Sequence, residues 1–496
     1  MTEPRASFLV RVKRRGPALR RAALFAGALL LAGCAGFEKA TNTGPGVGPV
    51  AAPRIVGADT PARREHRRIL TAYGGAYSDP ALDILLSAIS ARLSKAAQGS
   101  NVAYRITVLN SPSINAFALP TGDLYVTRGL LALASDTAEV AAVLAHEMAH
   151  VTARHAFDRA DKERQAALVS RVVTEALGDA EAGAMSLAKS RIALARFSRE
   201  QELEADRIGV ATLGLAGYDP YGASRFLAAM GKTAQMRASG FGGTGEAADF
   251  MSTHPATAER VGLAEAEARK LAAPGKGEHD RESFLNAIHG MIYGDDPSQG
   301  YVRGNRFIHP VIGFSFTAPD GFSLENAAES IVGVGPGETA LRLDSVNVPA
   351  DQPLGAHLAG DLMAGVTISN VEETEINGLP AATALAKGTD WSFRIAGIRL
   401  GATVYRIVYA ARNLTPETDA RFQSSILSFR RLTAGEAAAV KPQRIAVVKV
   451  RPGDTIASLA ARMSVPDRAV ERFLVLNGIS PEGSLKAGDR VKLIVE

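Results

Sequence analysis

The spacing of hydrophobic residues divides the chain into a helical part and a strand-rich part. Between residues 65 and 270 the apolar residues recur mostly at helical spacing. Across residues 312–316 they instead alternate with small or polar residues, and Asn377-Gly378 is a typical hairpin turn. This change of period predicts a multidomain protein with a mainly α first domain and an α+β domain after it.

One predicted helix carries polar residues on its apolar side. It begins at Asp136, and an apolar stripe runs along it through Val140 and Leu144. His146 and His150 are four residues apart, so they lie one above the other, with Glu147 at the edge of the same face. Two imidazoles at this spacing can bind a zinc ion, and the adjacent carboxylate can act as a general base.

A zinc site of this kind needs a third protein ligand. The metzincin pattern requires Gly and His seven and ten residues after the first histidine, where this chain has Ala153 and Ala156. A later helix offers Glu202 and, one turn on, Asp206. We therefore expect Glu202 to be the third ligand and Asp206 to accept the other N–H of a ligating histidine.

These segments together resemble a known peptidase family. The stretch His146-Glu147-Met148-Ala149-His150, the stretch Ser198–Gly209, and Met251–Pro255 followed by Arg260 resemble HtpX and CAAX-prenyl-protease-type zinc metallopeptidases. The resemblance implies a zincin-type (α+β) protease domain over residues 61–270, with an edge strand near Asn115–Val126 along which a peptide can lie. It implies the following site: one Zn²⁺ per chain bound by His146, His150 and Glu202, with Glu147 as general base, Asp206 as the orienting carboxylate, and His254 and Arg260 acting on the substrate or transition state.

His254 has two further interpretations. A lone histidine before Pro255 is often only a turn residue. Alternatively, a histidine on a loop over the zinc can take the position of the water and keep the enzyme latent. The sequence leaves inhibition and assistance by His254 open.

Length and charge set the wider context. The chain has 496 residues, 46% of them hydrophobic, which is enough for about three domains. Its sequence pI is near 9.2, but residues 1–33 contain seven of the 56 Lys and Arg residues and one acid. The remainder has 49 basic and 50 acidic residues. The basic charge therefore belongs to a targeting segment, and nucleic-acid binding is not expected.

The basic segment continues into an apolar run that ends at Leu31-Ala32-Gly33-Cys34, which resembles a bacterial lipoprotein signal. Residues 1–33 are predicted to be the signal peptide, and Cys34, the one cysteine of the chain, is the predicted lipid attachment site. Residues 34–60 are rich in Gly and Pro and are predicted to be a flexible tether. Ala35 after the cysteine favours the inner leaflet of the outer membrane.

The strand-rich part predicts an α+β domain over residues 305–433, after a linker at 271–304. Its opening, His309-Pro310 followed by Gly313-Phe314, and its closing helix after Thr415 resemble Mog1/PsbP-like domains. No residue set in this domain indicates catalysis, so its role is left open.

The C-terminal residues carry another motif. Val448–Ile456, Leu474–Gly478 and Leu485–Val491 resemble a LysM module, a family that binds N-acetylglucosamine glycans. The resemblance implies a small βααβ domain over 445–496, after a linker at 434–444. Glycan contacts are expected from its loops, at Gly453, Asp454, Thr455, Asn477, Gly478 and Ile479.

These predictions combine into a zinc endopeptidase of the bacterial periplasm, held to the membrane by a lipid and to peptidoglycan by the LysM module. Its expected substrates are misfolded or stalled envelope proteins. Two alternatives stay open: a peptidase that cuts peptidoglycan crosslinks, and a chaperone or tethering protein whose catalysis is dispensable.

Overall fold

The computed structural model describes residues 60–97, 102–157, 197–238, 254–327, 329–360, 366–480 and 482–496. The predicted signal peptide, Cys34 and most of the predicted tether lie outside these ranges. Within the described residues, no helix combines the length and the apolar composition needed to cross a membrane.

The first domain combines a three-stranded sheet with a layer of helices. Helices α1 (Pro61–Ala72) and α2 (Pro80–Ala96) precede strands β1 (Arg105–Leu109), β2 (Ala116–Ala118) and β3 (Asp123–Thr127). The sheet has the order β1-β3-β2, with β1 parallel and β2 antiparallel to β3. Strand β2 therefore lies at one edge of the sheet, next to the helical layer.

The helical layer is built around one helix, Thr137–Thr152, that is buried along almost its whole length. Its elements are α3 (Arg128–Leu133), α4 (Thr137–Thr152), α5 (Arg199–Leu215), α6 (Gly222–Ala238) and α7 (Ala258–Leu271). Asp136 caps α4 as predicted, and every residue from Thr137 to His150 is buried. Gly209 of α5 lies so close to α4 that a Cβ added to it would be 3.2 Å from the backbone nitrogen of His146. This close crossing brings the polar residues of α5 against the two histidines.

The segment 271–304, predicted to be a linker, is largely structured. It contains helix α8 (Arg281–Ile288), in which Phe284, Leu285 and Ile288 are completely buried in the core of the first domain. These three side chains share one helix face, and their burial explains why the segment packs instead of remaining extended.

The middle domain is α+β, as predicted, and contains two antiparallel sheets. The smaller sheet comprises β4 (Tyr301–Arg303), β5 (Arg306–His309), β6 (Phe314–Thr317) and β14 (Arg430–Arg431), in the order β14-β6-β5-β4. The larger sheet comprises β7 (Ser323–Asn326), β8 (Ser330–Gly335), β9 (Thr339–Asn347), β10 (Thr367–Ile376), β11 (Leu379–Lys387), β12 (Ser392–Leu400) and β13 (Thr403–Ala411). Its order is β10-β11-β12-β13-β9-β8-β7.

Two helices complete the middle domain. Helix α9 (Leu354–Ala359) packs on the larger sheet, and α10 (Pro416–Leu427) inserts Phe422 and Ile426 between the two sheets. Helix α11 (Ala434–Ala439) follows, in a segment that was predicted to be a linker. A capping box between Thr433 and Glu436 stabilises this short helix, although none of its residues is buried.

The C-terminal domain has the predicted βααβ order. Strands β15 (Arg444–Lys449) and β16 (Arg490–Val495) pair antiparallel and enclose helices α12 (Ile456–Ala460) and α13 (Ala469–Asn477). Its apolar residues, including Phe473 and Leu493, belong to the same hydrophobic cluster as Leu131 and Leu144 of the first domain. The C-terminal module is therefore docked on the first domain and does not extend from a free linker.

Candidate metal centre

Helices α4 and α5 and the start of the segment 254–257 bring four potential ligands together. His146, His150, Glu202 and His254 are all buried, and one ligand atom from each lies within 4.8 Å of the others. Three of the four were predicted as zinc ligands. His254 was predicted to act on the substrate or to block the metal, and it lies among the ligands.

The nitrogen atoms of the three histidines converge. His146 Nε2 lies 3.1 Å from His150 Nε2 and 3.3 Å from His254 Nδ1. Because zinc–nitrogen bonds are about 2.0–2.1 Å long, two ligands of a tetrahedral zinc lie about 3.3–3.4 Å apart. The arrangement therefore has the spacing of a zinc ligand set.

The carboxylate of Glu202 completes this set. One oxygen, Oε1, lies 2.7 Å from His254 Nδ1 and 3.5 Å from His150 Nε2, and the other, Oε2, lies 3.7 Å from His146 Nε2. Two imidazoles and one carboxylate are a known catalytic zinc ligand set, so the residues fit this metal.

Asp206 lies behind the ligands, where the sequence places it. Its Oδ1 is 3.0 Å from His146 Nδ1, the ring nitrogen that faces away from the cluster. A carboxylate at this atom keeps the proton on Nδ1 and leaves the lone pair of Nε2 directed at the cluster.

Arg260 contacts the carboxylates of Glu202 and Asp206. Its guanidinium group lies 2.7 Å from Glu202 Oε2 and donates two hydrogen bonds of 2.7 Å to Asp206. It also donates to the Pro255 carbonyl, next to His254. This differs from the expectation that Arg260 acts on the substrate, because its N–H groups are directed at protein acceptors. In this position Arg260 orients Glu202 and Asp206.

Glu147 is buried beside the cluster but has weak contacts. Its Oε1 finds no hydrogen-bond partner among the described residues, and His254 Nε2 lies 3.9 Å away from it. Burial raises the pKa of Glu147. A buried carboxylate oxygen without a partner is costly, which is consistent with a position reserved for a water or a substrate group.

Burial and charge also set the protonation of the ligands. Burial lowers the pKa of His150 to about 3, so its ring is neutral, as a metal ligand must be. Burial acts to raise the pKa of Asp206, but Arg260 and His146 outweigh it and lower the pKa to about 2. Burial acts in the same direction on Glu202, whose pKa is nevertheless lowered by its short contacts with the His150 and His254 rings and by the nearby His146 ring. Both carboxylates are thus ionised at neutral pH.

The sequence reasoning missed His155. Its Nδ1 lies 2.9 Å from His150 Nδ1, and its Nε2 lies 3.4 Å from Glu204 Oε2. With His150 Nε2 directed at the cluster, His150 Nδ1–H donates to His155, at the ring position where His146 has the Asp206 carboxylate 3.0 Å away. The ring of Phe197 stacks on His150 at 4.0 Å and covers its other side. Each of the two helical histidines is therefore oriented by its own partner.

The six predicted glycan contacts lie in two loops, residues 453–455 and residues 477–479. The first loop is accessible, whereas the second is partly buried. Gly453 and Thr455 are exposed and Asp454 is half-buried. Asn477 is buried, and its side chain hydrogen-bonds Phe473 and the backbone of Lys492, so it is a structural residue. Gly478 is the left-handed cap of α13, and the half-buried Ile479 packs against the core.

A cleft of about 650 Å³ lies beside the accessible loop. It is lined by residues 448–452, Arg462, Ala487 and Gly488. Arg462 and the 487–488 turn were not among the predicted glycan contacts, and they line this cleft together with residues 448–452 only in the folded module.

Comparison with known proteins agrees with both assignments. Residues 82–268 match the model of peptidase family M48, and residues 448–493 match that of the LysM domain, so the chain contains a domain of each kind. The mitochondrial metalloendopeptidase OMA1 of Arabidopsis thaliana is 35% identical over 162 residues, which are 33% of this chain and 31% of that protein. The beta-barrel assembly-enhancing protease of Escherichia coli (strain K12) is 27% identical over 201 residues, 38% of this chain and 41% of that protein. The chain thus spans less than half the length of these two relatives.

Among solved structures, the chain is similar to cyanobacterial PsbP (CyanoP) from Synechocystis sp. PCC 6803. The match covers 27% of this chain and 95% of that protein, with 13% identity and a TM-score of 0.22. A TM-score this low supports no conclusion about the fold of the middle domain.

Proposed function

We propose that this protein is a zinc-dependent endopeptidase of the bacterial cell envelope that degrades misfolded or stalled envelope proteins. The observation that carries the proposal is the convergence of His146, His150 and Glu202 next to the buried carboxylate of Glu147. The names of the relatives, a mitochondrial metalloendopeptidase and a beta-barrel assembly-enhancing protease, support a proteolytic activity.

The proposed chemistry assigns one role to each group. Zinc held by His146, His150 and Glu202 would supply a Lewis acid that polarises the peptide carbonyl and lowers the pKa of a water. Glu147 takes the proton of the attacking water and passes it to the leaving amine. Because burial raises its pKa, Glu147 is a stronger base than an exposed glutamate.

The sheet beside the site supplies a means of binding unfolded chains. Strand β2 is paired on one side with β3 and is an edge strand of its sheet. An extended peptide can add to such an edge through backbone hydrogen bonds, which depend little on the peptide's sequence. Helix α4 contacts β2, so a peptide there would lie near the cluster.

The proposed address has two components. Lipid at Cys34 would anchor the protein to the inner leaflet of the outer membrane, and several acyl chains hold a protein there stably. The LysM module would bind peptidoglycan glycans through the cleft beside Gly453–Thr455. For the middle domain we propose a Mog1/PsbP-like fold without catalytic function.

The two alternatives predict different activities. A crosslink peptidase would release muropeptides from purified sacculi, whereas the proposed enzyme would not. A chaperone or tether would restore envelope integrity in a deletion strain equally well with or without Glu147.

The replacement Glu147→Gln tests the proposed mechanism. We expect the variant to retain zinc, because all ligands remain, and to lose cleavage of an unfolded protein by at least about 100-fold, the usual contribution of a general base. Zinc content by mass spectrometry and cleavage of a casein-type substrate are the measurements.

Glu200→Gln is the matched control, because Glu200 is an exposed carboxylate on α5, two residues from Glu202. It should cleave as the wild type does. Full proteolysis by Glu147→Gln would contradict the mechanism.

A further inference from the structure

The turn that leads into helix α4, residues 132–135, accepts hydrogen bonds from two basic side chains of other elements. Lys492 Nζ, on strand β16 of the LysM module, donates to the carbonyls of Ala132 at 2.7 Å and Ala134 at 2.6 Å and lies 3.4 Å from that of Leu133. Arg281 of α8 donates to the next carbonyl, that of Ser135, at 2.7 Å. Each of the four consecutive carbonyls from residue 132 to 135 is thus bound by a cationic side chain.

Lys492 is held firmly at this point. Its side chain is completely buried, and its backbone N–H and C=O both hydrogen-bond the side chain of Asn477. A buried ammonium is costly unless its N–H groups all find acceptors, and these carbonyls match the three donors of a lysine. The carbonyls of Ala132 and Leu133 are also the last two of α3, which have no partner inside that helix.

The charges around Lys492 belong to the start of α4. Glu139 accepts a hydrogen bond from the Ser135 N–H, and Asp136 caps the helix. Burial lowers the pKa of Lys492 and so does the charge of Arg281, whereas the charges of Glu139 and Asp136 act to raise it. Arg225 of α6 bonds Asp136 and contacts Glu139 from the other side. The LysM cation therefore lies within electrostatic range of the carboxylates at the start of α4 and bonds the carbonyls of the turn before them.

This turn connects the two parts of the proposed active site. It follows α3, which itself follows β3, the partner of the edge strand β2, and it precedes the helix that carries His146 and Glu147. Because a helix moves as a unit, a displaced turn would shift Glu147 relative to β2. A displacement of about 1 Å can reduce an enzymatic rate by about 100-fold.

We propose that Lys492 is a positioning residue for the active site, and that the docked LysM module is thereby part of the active protease. The proposal rests on the proposed proteolytic function. Through the ammonium group of Lys492 at the interface, the LysM module would help to position helix α4, which carries His146 and Glu147.

The test compares Lys492→Met, which shortens the side chain by one atom and removes its charge, with Arg490→Met. Arg490 forms an exposed ion pair of 2.6 Å with Glu282 across the same interface and does not contact the turn with its side chain. Cleavage of an unfolded protein is measured at equal zinc content and well below the melting temperature of each full-length variant. We expect kcat to fall at least tenfold in Lys492→Met with KM within twofold of wild type, and no change in Arg490→Met.

A folded Lys492→Met with wild-type kcat would overturn the proposal, because the lysine would then contribute to stability alone. If Lys492→Met does not fold, Lys492→Gln, which is shorter and uncharged but keeps N–H donors, decides by the same kcat criterion. Amide hydrogen exchange of residues 137–145 is measured on the same proteins and should accelerate with the loss of Lys492. This readout remains valid if the wild type cleaves no protein, so that failure of the proposed function is distinguishable from failure of the positioning role.

Discussion

His254 has an unusual position for a residue that assists catalysis. Its Nδ1 lies at hydrogen-bond distance from Glu202 and 3.3 Å from His146, where a fourth zinc ligand would lie. Catalytic zinc sites keep one position open for water, whereas sites with four protein ligands are usually structural. The arrangement thus favours the interpretation in which His254 closes the site and keeps the enzyme latent.

His254→Ala should therefore raise basal cleavage of an unfolded protein several-fold and accelerate zinc dissociation, because one ligand is lost while the position for water opens. Initial rates at saturating zinc and the rate of zinc transfer to a chelator are the measurements. His279→Ala, at an exposed histidine outside the cluster, is the control. A lower kcat in His254→Ala at equal zinc content would instead assign His254 to transition-state assistance.

Among the histidines of this site, the sequence predicted the pair that is close in the chain on one helix. It missed His155, which reaches the site only because the chain bends after that helix. The four-residue spacing on one helix was sufficient for His146 and His150. His155 lies five residues after His150, which on a continuous helix would turn it away. Arg154, however, adopts a left-handed φ of 60° after the end of α4, and this bend returns His155 to His150.

Among the elements, strand β5 carries a buried histidine with a structural task. His309 is 6% exposed, and its Nδ1 accepts a hydrogen bond from the Ile312 N–H at 3.2 Å. Burial lowers its pKa to about 4 from an ordinary 6.5. The folded middle domain therefore holds this ring neutral over a pH range in which the unfolded chain would protonate it.

The middle domain should lose stability as the pH falls from about 6.5 to about 4. In this window the unfolded state binds the proton and the folded state does not, so the contribution is complete above 6.5 and amounts to at most roughly 3 kcal/mol. Denaturant unfolding at several pH values, followed by fluorescence of Trp391, the one tryptophan and a buried residue of this domain, measures it.

His309→Asn is the comparison for this pH dependence, because its side-chain oxygen can accept from Ile312 but does not titrate. It should flatten the pH profile between these values. An equal loss of stability in both proteins would assign the acid sensitivity to other groups.

Elements with long periodic patterns were predicted better than short ones. Helix α4 and the LysM strands follow directly from their motifs. Helix α8 was missed because eight residues give little periodicity, and its burial depends on a surface formed by distant segments. The order of the larger sheet, in which β13 pairs with β9, depends on contacts far apart in the chain and has no local signal.

On the scale of the whole molecule, the LysM module has two separate surfaces. One docks on the first domain through the shared apolar core and Lys492. The cleft is lined entirely by residues of the module, and Lys492 and Arg468, whose side chains hydrogen-bond the first domain, are not among them. The docking of the LysM module on the first domain could not be predicted from the sequence. A lysine within an apolar strand does not indicate which acceptors it binds, and one acceptor of Lys492 lies 360 residues away in the chain.

Ala487→Trp should separate wall binding from proteolysis. Ala487 is exposed at the cleft, so an indole there fills it without reaching the docked surface. We expect the variant to lose co-sedimentation with purified sacculi and to retain cleavage of an unfolded protein in solution. Sacculus binding at the wild-type level would show that the cleft is not the glycan site.

Because the LysM module is docked on the first domain, cleavage of the chain before the module would not by itself release it. The chain reaches the module through α11, none of whose residues is buried. Cutting there, by the enzyme itself or by a neighbouring protease, would leave the C-terminal fragment in place through the shared core and the bonds of Lys492. Under the proposed function, release from the cell wall would require dissociation of that fragment, which carries Lys492, and would disturb the proposed active arrangement.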